Sequence, residues 1–367
     1  MMTAGTKVSD AKRDAMAERL LNASLGMFDI FGAYLGDRLG LYRALADGGP
    51  ATSQALAQRA GCHERYVREW LEQQAVGGVL DVDDPSAEVS ARIYALPAEH
   101  AEILLDRDSL NFMGPIVRLI VGAVSPLSAI LDAYRTGGGV PYADYGIDLR
   151  EGQAEINRPP FLQLLASEWL PAMSDVHARL NQADPPARVA DIGCGAGWSS
   201  IGIARGYPHA KVDGFDLDPA SVELAQANLA GAGVVGRVSF EMRDAGDPTH
   251  AGVYNLVTIF EALHDMSDPV GALRAARQLL APGGTLLIVD ENVAESFTAP
   301  AGDIERLMYG WSILHCLPAG MADQPTAATG TVMRPAAVRR FAAEAGFIGV
   351  DVLPVEHPFF RFYRLTP

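Results

Sequence analysis

Apolar and polar positions follow two periodicities along the chain, and the change between them falls near residue 188. Before it, apolar side chains recur at spacings of three and four, as helices with one buried face require. Residues 52–61 open on capping residues and close on a glycine, which predicts a short helix. A second helix follows, with Val67, Trp70, Leu71 and Gln74 on one face and Gly77-Gly78 at its end. The runs 79–82 and 92–96, separated by Asp83-Asp84-Pro85-Ser86, read as a two-stranded wing. Helix, turn, helix and wing predict a winged-helix domain over residues 11–105.

Residues 106–183 carry apolar helices interrupted by Gly137-Gly138-Gly139, Pro141, Pro159 and Pro160, and read as a connector lying over the mouth of the next domain. From 184 to 367 the period changes. Strand-length apolar runs at 188–192, 210–215, 238–242, 256–260 and 285–289 alternate with helical stretches such as 221–230 and 269–280. That alternation predicts an α/β domain, a parallel sheet with helices on both faces. Two last strands, 348–353 and 359–365, have no helix between them and predict a hairpin.

Composition adds exclusions. No apolar run reaches the roughly 18 residues of a membrane span; the stretch 115–134 is broken by Arg118. Residues 1–13 mix lysine and aspartate without an apolar core and do not read as a signal peptide. Three scattered cysteines, Cys62, Cys194 and Cys316, form no C-x-x-C pair, so neither a disulfide framework nor a metal-ligand cluster is expected, and the cytoplasm is the expected compartment. The net charge of −16 argues against nucleic acid as a partner.

The chemistry concentrates in the α/β domain. Val189-Ala190-Asp191-Ile192-Gly193-Cys194-Gly195-Ala196-Gly197 is an apolar strand running into three alternating glycines. Such a turn lets a ligand approach the backbone and meet the N–H groups of the next helix. Trp198 stands where a dinucleotide fingerprint needs its third glycine, which argues against that ligand class. Asp216, 25 residues after Asp191 and at the tip of the next strand, is suited to accept hydrogen bonds from ribose hydroxyls. Asp244, with the Ala245 N–H beside it, is suited to an adenine edge. Phe260-Glu261-Ala262-Leu263-His264-Asp265-Met266 lies at the tip of the fourth strand, and Pro282-Gly283-Gly284 turns into the fifth.

Taken in this order, residues 188–366 resemble a class I S-adenosylmethionine-dependent methyltransferase, with a Rossmann-like seven-stranded sheet. The winged helix in front makes the chain similar to bacterial and plant-type O-methyltransferases. The resemblance implies S-adenosyl-L-methionine as cofactor, held by Asp191, Gly193, Cys194, Gly195 and Gly197 at its amino-acid end. It adds Asp216 and Leu217 at the ribose, Asp244 and Ala245 at the adenine, and Phe260 and Glu261 at the strand tip. It also implies a homodimer through the N-terminal domain, a small-molecule acceptor, His264 as general base with Asp265 beside it, and Glu291 as the carboxylate that orients it. Met266 departs from the tryptophan usual in plant enzymes, which counts against a phenylpropanoid-like acceptor.

Other readings bear on the same residues. His264 could shape the pocket of an N- or C-methyltransferase without acid–base duty. The winged helix could belong to a transcriptional regulator, although Glu64, Glu69 and Glu72 offset Arg65 and Arg68 on its second helix. Met308, Trp311 and His315 share a helical face that core packing explains as well as an acceptor pocket does. Tyr142 and Tyr145 belong either to a lid or to a solvent-facing loop.

Overall fold

The computed structural model describes residues 9–244 and 251–367. It divides into two compact units, Met1–Val121 and Gly122–Pro367. In the first, α1 (Asp10–Arg38) is followed by α2 (Leu41–Gly48), α3 (Ser53–Ala60) and α4 (Glu64–Val76). The Thr52 side chain accepts from the Ala55 N–H at the start of α3, and Gly61, at φ 66°, ends it. On α4, Val67, Trp70, Leu71 and Gln74 are all buried, as their spacing requires. The first three pack with Leu41, Tyr42, Leu45 and Leu56 into one small core, where each buried aliphatic side chain contributes roughly 1.5–3 kcal/mol.

The wing forms but is shorter than expected: β1 is Asp81–Val82 and β2 is Tyr94–Ala95, paired antiparallel. The Val79 and Leu80 N–H groups instead donate to the Gln74 carbonyl at the end of α4, which takes them out of the ladder. The arginines of the second helix are engaged: Arg65 with Glu69 at 2.5 Å and Arg68 with Glu64 at 3.4 Å, while Glu72 pairs with Arg92 of the wing at 2.8 Å. Along α1, Met16, Leu20, Leu25, Phe28 and Leu35 stay about half exposed.

The second unit is built on a seven-stranded sheet. Its strands are β3 (Arg188–Ile192), β4 (Lys211–Asp216), β5 (Val238–Met242), β6 (Tyr254–Phe260), β7 (Leu280–Glu291), β8 (Gly349–Val352) and β9 (Phe360–Thr366), in the spatial order β5-β4-β3-β6-β7-β9-β8. The first five are parallel, and β9 closes antiparallel on both β7 and β8. Separate apolar clusters cover the two faces, one around Leu256, Ile201 and Phe362, the other around Val257, Leu273 and Tyr363. The order reverses at β3, flanked by β4 and β6, so the crevice beyond its carboxyl end is the ligand position in an open sheet of this kind.

Two sequence expectations shift. β7 starts five residues early, because Leu280 pairs with Tyr254 before the register jumps to Thr285 opposite Leu256, leaving Pro282-Gly283-Gly284 as an irregularity inside the strand. Pro159 and Pro160 do not interrupt a helix; they sit within helix Gly146–Gln163. Their missing N–H donors fall in its last turns, and a π-helical segment, Leu165–Trp169, follows. No single described helix is long and apolar enough to cross a membrane.

Candidate active site

The glycine turn after β3 is fixed from below by Asp191, which is fully buried. Its carboxylate accepts hydrogen bonds from the Ser199 and Ser200 hydroxyls at 2.6 Å each and from Thr258 at 2.8 Å. These three donors tie the turn to the first residues of helix Trp198–Gly206 and to β6. Burial raises the Asp191 carboxyl above its usual range, against the pull of those hydroxyls. Gly193, Gly195 and Gly197 all adopt positive φ, at 68°, 51° and 78°. A Cβ on Gly197 would lie 2.3 Å from the Phe240 ring, whereas one on Gly195 would meet nothing within 4 Å. The turn is therefore packed on one side and open at its middle.

Parallel register sets Asp216 against that opening. Ile192 pairs with Phe215, so the next residue of β4 stands level with the turn. Its Oδ2 accepts from the Gly195 N–H at 2.8 Å and its Oδ1 from the Asp218 N–H at 2.9 Å. Burial raises its carboxyl, helped by Asp218 and opposed by these N–H groups. Helix Gly146–Gln163 reaches the same place, with Arg150 donating to Asp218 at 2.8 Å. Open turn, helix terminus and half-buried carboxylate together suit a nucleoside carrying an amino-acid tail.

The tip of β6 carries the second part of the site. Glu261 sits at φ 48°, an unusual backbone region for a non-glycine residue, and its Oε2 accepts from Gln153 Nε2 at 3.2 Å. Its carboxyl is pushed up to about 7, chiefly by burial, with Asp290 raising it and His264 lowering it. Glu291 is raised by burial and by Glu261. His264, 3% exposed, lies in a single turn, Leu263–Asp265. Its Nδ1 is 2.9 Å from Asp290 Oδ1, and its Nε2 is 3.3 Å from Asp265 Oδ1. Burial lowers the imidazole pKa, but the charges of Asp290 and Asp265 outweigh it and hold the ring well above its ordinary value. The carboxylate bonded to His264 is thus Asp290, which also accepts the Glu291 N–H at 2.9 Å. The expected orienting residue, Glu291, is one position further on β7, where alternation turns its side chain away from that bond.

The remaining sequence assignments fall as follows. Cys194 and Phe260 are buried, Leu217 is 72% exposed, and Asp244 is exposed at the end of the described segment. Ala245 lies outside the described residues. Tyr145 is buried and donates to the Leu314 carbonyl at 3.1 Å, so it is not a solvent-facing residue. Met308 and His315 are buried, and His315 lies in a π-helical turn, Ser312–Cys316. That turn brings Cys316 to His264, a contact with no signal in the sequence.

Comparison with known proteins agrees with this geometry. The methyltransferase domain family matches residues 183–334, and the Rv2258c-like winged HTH domain family matches residues 31–106. A ubiquinone biosynthesis O-methyltransferase of Marinobacter nauticus is 34% identical over 142 residues, 34% of this chain and 58% of that one. The enzyme of the same name from Nitrosospira multiformis is 30% identical over 195 residues, 52% of this chain and 74% of that one. Human N-acetylserotonin methyltransferase, solved with S-adenosylmethionine, superposes with a TM-score of 0.64 over 99% of both chains at 19% identity, a likeness of fold. The chain accordingly belongs to the class I S-adenosylmethionine-dependent methyltransferases, of the O-methyltransferase-like group that carries an N-terminal winged helix.

Proposed function

We propose that this enzyme methylates a hydroxyl of a small, apolar or aromatic acceptor, with His264 as the general base. One observation carries the reading: a buried imidazole is held at Nδ1 by Asp290, which leaves Nε2 as the nitrogen able to take a proton. The names of the curated relatives, O-methyltransferases of ubiquinone biosynthesis, favour oxygen as the acceptor atom. Glu291, the next residue of β7, places a second buried carboxyl near this pair, raised by burial and by Glu261. Replacing His264 with alanine is expected to reduce turnover by about a hundredfold or more while cofactor affinity stays nearly constant. Unchanged turnover would favour the N- or C-methylation reading instead.

The cofactor residues fit S-adenosylmethionine on the chemistry of their groups. Asp216 offers the ribose hydroxyls a carboxylate, the turn at Gly195 leaves room for the amino-acid end, and the helix Trp198–Gly206 that follows presents its N-terminus there. Asp191 supports that turn from below, as its three hydroxyl partners indicate. When bound, the cofactor supplies an activated methyl carbon on a sulfonium, so the protein's own share is alignment of the acceptor and removal of its proton. Helix Gly146–Gln163, part of the connector assigned to 106–183, supplies Gln153 and Arg150 to the same crevice and shapes the acceptor side.

We further propose that the winged helix, 11–105, joins two copies of the chain and that 184–367 forms the methyltransferase domain. The exposed apolar stripe of α1 supports dimerisation. The acid–arginine pairs of α4 and the net charge of −16 weigh against DNA. The three cysteines are free, in keeping with a reducing cytoplasm.

A further inference from the structure

Methyl transfer accounts for His264 but not for Cys316, which joins His264 and Asp265 in one group. Taking one ligand atom from each, the imidazole nitrogen, carboxylate oxygen and thiol sulfur all lie within 4.8 Å of one another. Cys316 arrives from a distant part of the chain, at the end of the π-helical turn Ser312–Cys316. Three further observations point to a ligand there. Asp265 Oδ1 is buried without a hydrogen-bond partner, although His264 Nε2 is 3.3 Å away. His315 is more than nine-tenths buried, with Nδ1 3.4 Å from Cys316 Sγ and Nε2 unpartnered. Asp290 bonds His264 Nδ1, the arrangement by which outer carboxylates orient metal-binding histidines and leave Nε2 to the ion.

We propose that His264, Asp265 and Cys316 bind a thiophilic divalent cation of the zinc class, and that occupancy silences methyl transfer. A mixed nitrogen, oxygen and sulfur set suits zinc, whose bonds of about 2.0–2.3 Å need the three side chains to draw together slightly. Magnesium and calcium, which take oxygen ligands, do not suit it. Binding is a ligand exchange without redox: the Cys316 thiol loses its proton to solvent, its sulfur bonds the ion, and neutral His264 donates its Nε2 lone pair. A fourth position remains for water or His315. Because that lone pair is the one meant for the acceptor's proton, a bound ion competes with catalysis. The inhibitory half rests on His264 being the base; the binding half does not.

The test uses untagged, metal-free, full-length protein titrated with Co²⁺ and then with Zn²⁺. The expected result is one ion per chain, a thiolate-to-cobalt charge-transfer band, and displacement of cobalt by zinc. Cys316→Ser is expected to abolish the band, weaken zinc at least tenfold, keep metal-free turnover, and stay active at zinc concentrations that silence the native enzyme. Asp265→Asn, also checked for folding by its melting curve, is expected to weaken zinc in the same direction. Absence of the band, or zinc affinity unchanged in both variants, overturns the site. Zinc binding through Cys316 with full turnover retained overturns the inhibitory half and, with it, the base assignment of His264.

Discussion

Asp290→Asn isolates the contact on which the proposed proton transfer depends. The pair is buried on both sides, 3% exposed at His264 and 1% at Asp290, and its Nδ1–Oδ1 distance is 2.9 Å. A hydrogen bond to a charged group of this kind contributes roughly 1.5–3 kcal/mol net, and an amide keeps about 0.5–1 kcal/mol of it. A loss of about 1–2 kcal/mol in ordering and stabilising the imidazolium converts to a decrease in turnover of roughly 5- to 30-fold. Asparagine keeps the shape, so its carbonyl can still accept the Glu291 N–H that Asp290 now accepts. The pH profile gives a second readout. His264 is held above its ordinary pKa, so its basic form, and with it activity, is lost as pH falls through that raised value. Removing the Asp290 charge lowers that pKa and moves the acidic limb to lower pH. The assay is steady-state turnover across pH with a methyl acceptor, beside calorimetric affinity for S-adenosylhomocysteine, which should stay within about threefold. Turnover within twofold of native, with an unmoved limb, would refute the role given to Asp290.

Further outcomes follow from other parts of the molecule. Asp216→Ala is expected to weaken S-adenosylhomocysteine by roughly tenfold to a hundredfold, the loss of one charge-assisted hydrogen bond, measured by calorimetry; unchanged affinity contradicts the ribose assignment. Glu261, pushed up to about 7 from 4.5, favours the folded state in its protonated form, so its contribution to stability falls as pH rises from 4.5 towards 7. Melting curves should show the native chain losing stability across that window more steeply than Glu261→Gln does. Gly197→Val places a branched side chain at φ 78° and against Phe240, and should lower the melting temperature with a cost of about 2 kcal/mol or more. Leu20→Asp with Phe28→Asp should convert a dimer to a monomer in light scattering, as both side chains are more than half exposed on α1.

Much of this molecule was legible in its sequence because local rules were obeyed. The glycine turn, Asp216 and the strand runs lie on short contiguous segments, and parallel register carried Asp216 to the turn without further information. Thr52 and Gly61 announced the limits of α3 in the same way. What escaped is non-local or depends on a one-residue choice. Asp290 and Glu291 are adjacent carboxyls, and only strand alternation decides which bonds His264. Cys316 reaches His264 through a π-helical turn that a period of 3.6 cannot anticipate. The proline pair at 159 and 160 looked like a helix end, but loss of two donors near a terminus was tolerated.

The central claim, that the crevice beyond β3 is a cofactor site built on the Gly195 turn and Asp216, is tested most directly by titrating the full-length chain with S-adenosylhomocysteine in a calorimeter. One ligand is expected to bind per chain in the micromolar range, and Asp216→Ala is expected to weaken it. Absence of heat at millimolar ligand, or binding indifferent to Asp216, would contradict the account.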